Sequence, residues 1–247
     1  MNVNLELTDH CNLRCTMCSQ SLRDEAHGAP HRFMPFEVWA RGVAGLEGMT
    51  DVTLCPHWLG EPTLHPEFDR LVAHAFGQNA GNRLFRHFKL HTNAVILPEE
   101  RARLLVELAS RADQAPDTFR AVHFSIDAFS VPTYAAGKGA DRRDIVFRNV
   151  ERFLQLRGAA PRPVAHVAFV VQDGNAAEVS AFVEHWRDRL RAAGREPQLT
   201  AEWPDMDRDA VYLRRWNTGD QAHADRLHAD ACRAVGLHAS ARPAGAF

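Results

Sequence analysis

Three of the five cysteines in this 247-residue chain lie within eight residues of one another. Cys11, Cys15 and Cys18 have the spacing C-x3-C-x2-C, which places three thiols on one short loop. Three thiolates can hold three irons of a cubane 4Fe–4S cluster, and the fourth iron is then open to another ligand. A zinc site is the alternative, with His10 or His27 as a fourth ligand. A disulfide is disfavoured, because three is an odd number and nothing in the sequence looks secreted.

The composition is that of an ordinary globular protein, with 45% hydrophobic and 24% charged residues. The formal net charge of -2 predicts no attraction to nucleic acid or to a membrane surface. The longest apolar runs are too short to span a bilayer, and the N-terminus shows no signal peptide. We therefore expect a cytoplasmic protein, because a reducing compartment keeps thiols unpaired.

Strand and helix patterns alternate six times along the chain. Alternating or continuous apolar residues predict the strands, and apolar residues at helical spacing predict the helices between them. The predicted strands lie at residues 3–8, 52–55, 88–92, 121–127, 163–171 and 198–203. Such alternation predicts an α/β fold with a parallel sheet and right-handed crossovers. No G-x-G-x-x-G follows the first strand, which argues against a dinucleotide-binding Rossmann unit.

Three other segments complete the predicted organisation. Residues 128–140 are predicted to form a loop, because they contain a proline and two glycines. Asn175 and Glu178 have the spacing of a capping box at the start of a helix. The alternation ends after the sixth strand, so we divide the chain into a barrel at 1–203 and a C-terminal extension at 204–247.

Polar residues follow five successive predicted strands. They are the cysteine loop, Gly60-Glu61-Pro62, Thr92-Asn93, Ser125 to Asp127, and Gln172-Asp173. The C-terminal ends of barrel strands meet on one face, and active sites are built there. We therefore expect these five groups to form one site.

The cysteine motif after a first strand, followed by repeated strand–helix units, resembles the radical S-adenosylmethionine (radical SAM) superfamily. The resemblance implies a partial (β/α)6 TIM-like barrel and a 4Fe–4S cluster held by Cys11, Cys15 and Cys18. It also implies S-adenosylmethionine as the second cofactor, bound to the open iron. Reductive cleavage of this cofactor would release a 5′-deoxyadenosyl radical that abstracts a hydrogen atom from a substrate.

The same resemblance assigns cofactor-binding residues. Gly60-Glu61-Pro62 resembles the family's G-E-P element, which holds the methionine amino group, although a turn before a helix explains the same residues. Thr92-Asn93-Ala94 resembles a T-N-G element with alanine in place of glycine. The remaining implied contacts are Ser125 and Asp127 to the ribose or the carboxylate, and Met17, Val171 and Asn175 around the adenine. Asn175 has a helix cap as its alternative role.

The C-terminal part resembles the start of a SPASM domain. Residues 211–219 look like its lead-in, and Cys232 lies where its first cysteine would come. No further cysteine follows, so the extension lacks a complete SPASM domain and we expect one cluster only. Because relatives that act on peptides usually carry the full domain, we favour a small polar natural-product or metabolite substrate over a peptide.

The predicted chemistry is an epimerisation, a dehydrogenation or a rearrangement, with electrons from an external donor such as flavodoxin or ferredoxin. Catalytic candidates are Cys55, as a hydrogen donor that has a buried hydrophobe as its alternative role, and Asp127. Candidate substrate contacts near the barrel mouth are His57, Trp58, His91, His123 and Tyr134. Two other classes stay open at this point, a non-catalytic iron–sulfur or zinc-binding module and an iron–sulfur protein that senses redox state.

Overall fold

The computed structural model describes residues 1–21, 31–113 and 120–238. The strands are β1 (Asn2–Asn4), β2 (Thr53–Cys55), β3 (His87–Thr92), β4 (Arg120–Ser125), β5 (Val164–Val170), β6 (Gln198–Thr200) and β7 (Ala210–Arg214). The helices are α1 (Phe36–Ala44), α2 (Phe68–Asn82), α3 (Glu99–Ala109), α4 (Val131–Lys138), α5 (Arg143–Arg157), α6 (Val179–Ala192) and α7 (Gln221–Ala234). Short 3-10 turns cover Pro62–Leu64 and Ala176–Glu178.

The seven strands form one parallel sheet in the order β1-β2-β3-β4-β5-β7-β6. β1 and β6 are its edges, and no pairing joins them within the described part of the chain, so the sheet is open. The expected α/β fold with a parallel, incompletely closed sheet is confirmed. The number of strands is seven rather than six, because β7 pairs between β5 and β6.

Two faces of the sheet have different chemistry because side chains alternate along a strand. On β3, Phe88 and Leu90 belong to the hydrophobic core beneath the helices. Lys89 and His91 alternate with them and lie on the opposite, inner face. On β4, Phe124 belongs to the same core. The helix-facing side is therefore apolar, whereas the inner face carries charged and aromatic polar groups.

The predicted loop at 128–140 is wrong, because α4 lies there. The Ser130 hydroxyl accepts from the Thr133 N–H and caps this helix. The Glu178 carboxylate accepts from the Phe129 N–H (2.8 Å), the Ser130 N–H (3.1 Å) and the Thr133 hydroxyl (2.8 Å). The predicted capping box is also wrong, since the Glu178 carboxylate binds the first residues of α4 and the Asn175 side chain makes no capping hydrogen bond.

The boundary at residue 203 divides the sheet, because β7 lies inside the predicted extension and is an internal strand. The rest of that extension contains α7, which starts where the Asp220 carboxylate accepts from the His223 N–H. Residues 239–247 and His27 lie outside the described residues. No helix in the described ranges is long and apolar enough to cross a bilayer.

Candidate active site

The cysteine loop is held at the C-terminal edge of the sheet by the end of α4. The Arg14 N–H donates to the Lys138 carbonyl (3.0 Å), and the Thr16 N–H donates to the Gly137 carbonyl (2.9 Å). Gly139 has φ = +72°, and a Cβ there would lie 2.7 Å from the Arg14 carbonyl oxygen. A glycine is therefore required where the loop and the helix end meet.

One cavity of about 350 Å³ opens beside this loop. It is bounded by the ends of β3, β4, β5 and β7 and by the loop that follows β2. Its walls include Cys11, Cys15, Cys18, Met17, His57, Trp58, Gly60, Glu61, His91, Thr92, Asn93, Ser125, Asp127, Lys138, Val170 and Arg214. Of the five polar groups expected to form one site, the cysteine loop, the Gly60-Glu61 pair, the Thr92-Asn93 pair, and Ser125 with Asp127 line this cavity, whereas the Gln172-Asp173 pair is not among its wall residues.

The three thiols line one cavity, as the ligands of an iron–sulfur cluster would. Burial raises the pKa of Cys11 to about 12 and also raises the pKa of Cys15, so their thiolates require a positively charged partner such as iron. Among the described residues, no three His, Cys, Asp or Glu side chains converge on one metal ion. In a cubane, each thiolate binds a different iron, so thiols that face one cavity without converging are suitable.

Glu61 connects the loop after β2 to the end of β3. Its buried carboxylate accepts from the Thr63 N–H (3.1 Å), the Thr63 hydroxyl (2.6 Å), the Thr92 hydroxyl (2.7 Å) and the Asn93 N–H (2.7 Å). Burial raises the pKa of Glu61, and the hydrogen bonds oppose that shift. The carboxylate thus acts as a structural junction behind the cavity wall.

Gly60 lies against the backbone that enters the cysteine loop. A Cβ at this position would be 2.1 Å from the Thr8 carbonyl oxygen and 2.8 Å from that of His10. The Gly60 N–H donates to the Glu6 carboxylate (2.8 Å), and the Glu61 N–H donates to the His10 carbonyl (2.7 Å). This close approach is a physical reason for glycine in the G-E-P element. Pro62 is buried and begins the 3-10 turn.

Asn93 brings the end of β3 to the cysteine loop. Its side-chain amide donates to the Asn12 side chain (2.8 Å) and lies 3.9 Å from the Cys11 sulfur. Ala94, which stands where the family has glycine, has φ = +60°. The chain therefore adopts the left-handed conformation at this position despite the Cβ.

Asp127 is the centre of a buried ion pair. Lys138 Nζ contacts Asp127 Oδ2, and both side chains are almost fully buried. The same carboxylate accepts from the Ser125 hydroxyl (3.0 Å) and the Val170 N–H (2.7 Å). Asp127 has φ = +63°, a strained conformation that these contacts hold in place. Ser125, Asp127 and Lys138 all line the cavity.

Two of the predicted adenine contacts face elsewhere. Val171 belongs to the helix-facing core, and Val170 lines the cavity instead, so this prediction is off by one residue. The Asn175 side-chain amide donates to the carbonyls of Asp127 (2.8 Å) and Val170 (2.9 Å), and its oxygen accepts from the Gln172 N–H (2.7 Å). The Asn175 side chain therefore stabilises the end of β5 through these hydrogen bonds. Met17 lines the cavity as expected.

The predicted substrate contacts separate into three groups. His57, Trp58 and His91 line the cavity, and Trp58 is 69% exposed at its rim. His123 lies behind His91, since the two rings stack with centroids 4.2 Å apart and His123 is buried. Tyr134 is fully buried in the hydrophobic core and does not line the cavity, so the prediction that it contacts the substrate is wrong.

Cys55 is buried at the end of β2 and is not among the residues that line the cavity in the described part of the chain. Its sulfur lies 3.7 Å from the Thr53 carbonyl oxygen. Burial raises the pKa of Cys55, which keeps the S–H bond intact at neutral pH. Its role as a hydrogen donor stays a prediction.

A family model decides the class of this protein. The Radical SAM superfamily model matches residues 5–184, which is more than half of the chain. The chain belongs to the radical SAM superfamily. It is accordingly an enzyme of the radical SAM class, with a 4Fe–4S cluster and S-adenosylmethionine as its cofactors. The matched residues include the whole cysteine loop.

Solved structures agree on the fold. The native anSMEcpe structure with bound AdoMet has a TM-score of 0.60 at 18% identity, covering 86% of this chain and 51% of that one. The structure of the FeFe-hydrogenase maturase HydG from Carboxydothermus hydrogenoformans has a TM-score of 0.58 at 14% identity, covering 98% and 53%. The chain thus spans about half the length of these proteins. No curated protein sequence matches it significantly.

Four residues of the site were not predicted from the sequence. Glu6 accepts from the N–H groups of Leu59 (2.6 Å) and Gly60, and Lys138 pairs with Asp127. Lys89 lies on the inner face of the sheet, and Arg214 lines the cavity. A signal was present for Lys89, because a lysine that alternates with Phe88 and Leu90 in a strand is unusual. Lys138 and Arg214 lie in segments predicted to be a loop and an extension.

Proposed function

We propose that this enzyme abstracts a hydrogen atom from a small polar substrate bound in the cavity beside the cysteine loop. The outcome would be an epimerisation, a dehydrogenation or a rearrangement of a natural-product or metabolite intermediate. The observation that carries this proposal is that the cysteine loop and a wall of polar, hydrogen-bonding side chains share one cavity. A substrate there would lie next to both cofactors.

Each part of the wall has its own task in this proposal. Cys11, Cys15 and Cys18 would hold the cluster, whose chemistry with S-adenosylmethionine is the supply of a 5′-deoxyadenosyl radical. Glu61 and Asn93 fix the strand ends around that position through their hydrogen bonds. Asp127 is paired with Lys138, and this ion pair fixes the ends of β4 and α4 at the cavity wall.

The histidines supply hydrogen bonds without added charge. Burial lowers the pKa of His57 to about 3, and burial lowers that of His91 well below its usual range. Both rings are neutral at pH 7, so each has one N–H donor and one acceptor nitrogen. Such groups suit hydroxyl, amine and carbonyl groups of a polar substrate.

A peptide substrate is the second candidate. The anSMEcpe structure with bound AdoMet and the Cp18Cys peptide has a TM-score of 0.56 at 21% identity, covering 76% of this chain and 47% of that one. The exposed indole of Trp58 at the cavity rim would offer an apolar contact to such a chain. The electron would come from a donor such as flavodoxin or ferredoxin in a reducing cytoplasm.

Anaerobic reconstitution tests the proposal. We expect about four irons per chain and formation of 5′-deoxyadenosine from S-adenosylmethionine under reducing conditions. Cys15→Ala should lose iron and this product, whereas Cys232→Ala, which removes a thiol from α7, should retain both. Full activity of Cys15→Ala would refute the proposal. Binding of about eight irons per chain would refute the assignment of a single cluster.

A further inference from the structure

Two cations on the inner face of the sheet have no acidic partner among the described residues. Lys89 on β3 is 8% exposed, and Arg214 ends β7 and lines the cavity. Two other buried cations have a carboxylate partner, since Lys138 contacts Asp127 and Arg157 lies 2.6 Å from Asp209. A buried cation without a counter-ion is costly, so its retention requires an explanation.

Both cations act on the same pair of imidazole rings. The positive charges of Lys89 and Arg214 help to lower the pKa of His91 and His123, after burial itself. Lys89 Nζ lies 4.7 Å from the centroid of the Trp203 ring, and that ring stacks on His91 at 6.1 Å and on His123 at 6.0 Å. The two cations therefore flank one patch of the inner face, which we call the cationic patch: Lys89, His91, His123 and Arg214.

The patch also contains hydrogen-bonding atoms that the rest of the described chain leaves unsatisfied. His91 Nε2 and both ring nitrogens of His123 are buried without a hydrogen-bond partner in that part of the protein. Burial, and after it the nearby positive charges, lower the pKa of both His91 and His123, so these rings are neutral and each retains an N–H donor. Buried polar groups are normally satisfied, so a ligand that accepts hydrogen bonds fits here.

We propose that the substrate carries an oxyanion, a carboxylate or a phosphate, which the cationic patch binds. The Arg214 guanidinium at the cavity wall would form the direct contact, since its planar fork matches either group. His91 would donate a hydrogen bond, and Lys89 would add charge from beneath the ring stack. This inference rests on the proposed function, because it names the substrate class for the same cavity.

Charge in the remainder of the cavity agrees with an anionic substrate. The acidic side chains of the wall are already engaged, Glu61 by four hydrogen bonds and Asp127 by Lys138. The unbalanced charge there is therefore positive. A cleft lined by one sign of charge concentrates ligands of the opposite sign.

The test measures binding of two probes, inorganic phosphate and succinate, to the reconstituted holoenzyme with S-adenosylmethionine already bound. Isothermal titration under anaerobic conditions gives the dissociation constant of each. We expect saturable binding of at least one probe, and the stronger probe identifies which oxyanion the substrate carries. Arg214→Gln and Lys89→Met should each weaken it about tenfold or more, the size of a lost charged hydrogen bond. Arg148→Gln, at an exposed position on α5, is the matched control and should not weaken it.

Three results would overturn the inference. The first is that neither probe binds saturably to the wild type. The second is that the wild type and Arg214→Gln bind the probe equally. The third is that Arg214→Gln loses affinity for S-adenosylmethionine while its probe binding is unchanged. The third result would assign Arg214 to the cofactor's own carboxylate. Should Lys89→Met fail to fold, the half-buried Arg214 variant carries the test alone. A wild type that binds the probe in an Arg214-dependent way yet forms no 5′-deoxyadenosine would refute the proposed function and leave the oxyanion site in place.

Discussion

Glu61→Gln is the most informative single change, because it alters one atom of the junction behind the cavity. The carboxylate accepts four hydrogen bonds, two from the backbone N–H groups of Thr63 and Asn93 and two from the hydroxyls of Thr63 and Thr92. The hydroxyls can rotate and accept from an amide instead. The backbone N–H groups cannot, and they lie at different carboxylate oxygens.

Either orientation of the glutamine amide therefore directs its NH2 group at one backbone N–H. One charge-assisted bond is lost and one buried donor is left without a partner, which costs about 1.5–3 kcal/mol. The change also removes the desolvation cost of the buried charge, so we expect the lower half of that range. For a chain of this size the melting temperature should fall by about 3–9 °C.

The assay is thermal unfolding followed by circular dichroism on the iron-free protein, which separates stability from cofactor loading. Glu67→Gln is the matched control, because Glu67 is exposed and forms a surface pair with Arg70. The control should change the melting temperature by less than about 1 °C. An unchanged melting temperature in Glu61→Gln would refute the view that this carboxylate joins the two strand ends.

Three further predictions concern single residues of the site. Gly60→Ala places a Cβ 2.1 Å from the Thr8 carbonyl oxygen, so the iron content after reconstitution should fall sharply, whereas Gly77→Ala, in a helix with open space, should match the wild type in iron assays. The folded-state pKa of His57, about 3, lies below its unfolded value, so stability is present above about pH 6.5 and is lost as pH falls below it. His57→Asn should make the free energy of unfolding, measured by denaturant titration, less dependent on pH between about pH 6.5 and 4, by up to about 1.4 kcal/mol per pH unit. The same pH dependence in the variant and the wild type would contradict a lowered pKa of His57. Cys55→Ala should let 5′-deoxyadenosine form while the substrate-derived product, followed by mass spectrometry, falls or changes; a normal product at the normal rate would exclude the donor role.

The local motifs were predictable because each is set by neighbouring residues. The cysteine loop is recognised by its own spacing and the G-E-P element by its three consecutive residues, although the contacts that require glycine at position 60 come from Thr8 and His10, which are distant in sequence. The strand β3 was predicted at residues 88–92 and is found at His87–Thr92. The prediction is accurate to one residue because the alternation of apolar residues marks this strand clearly. Sequence reasoning therefore located the site at the correct end of the sheet.

The errors have a common cause, which is that distant residues decide the structure. The helix α4 is stabilised at its start by Glu178, which is 45 residues or more away from the groups it caps. The strand β7 pairs between β5 and β6, an order that local pattern does not reveal. Val171 was predicted at the cavity and Val170 lies there instead, because the predicted end of β5 differs from the observed one by a residue. The ends of secondary-structure elements are uncertain by a residue or two.

The inner face of the sheet shows how far a sequence pattern can be taken towards specificity. Alternation on β3 and β4 places Lys89, His91 and His123 on one face, and register pairs His91 directly with His123. The sequence does not show that Lys89 lacks a carboxylate neighbour, because that depends on every strand that lines the cavity. An apolar residue at position 89 would pack without this cost, so stability alone does not account for a lysine. The position is better explained by a ligand that brings the missing negative charge, and Arg214 at the adjoining wall gives that ligand a place to bind.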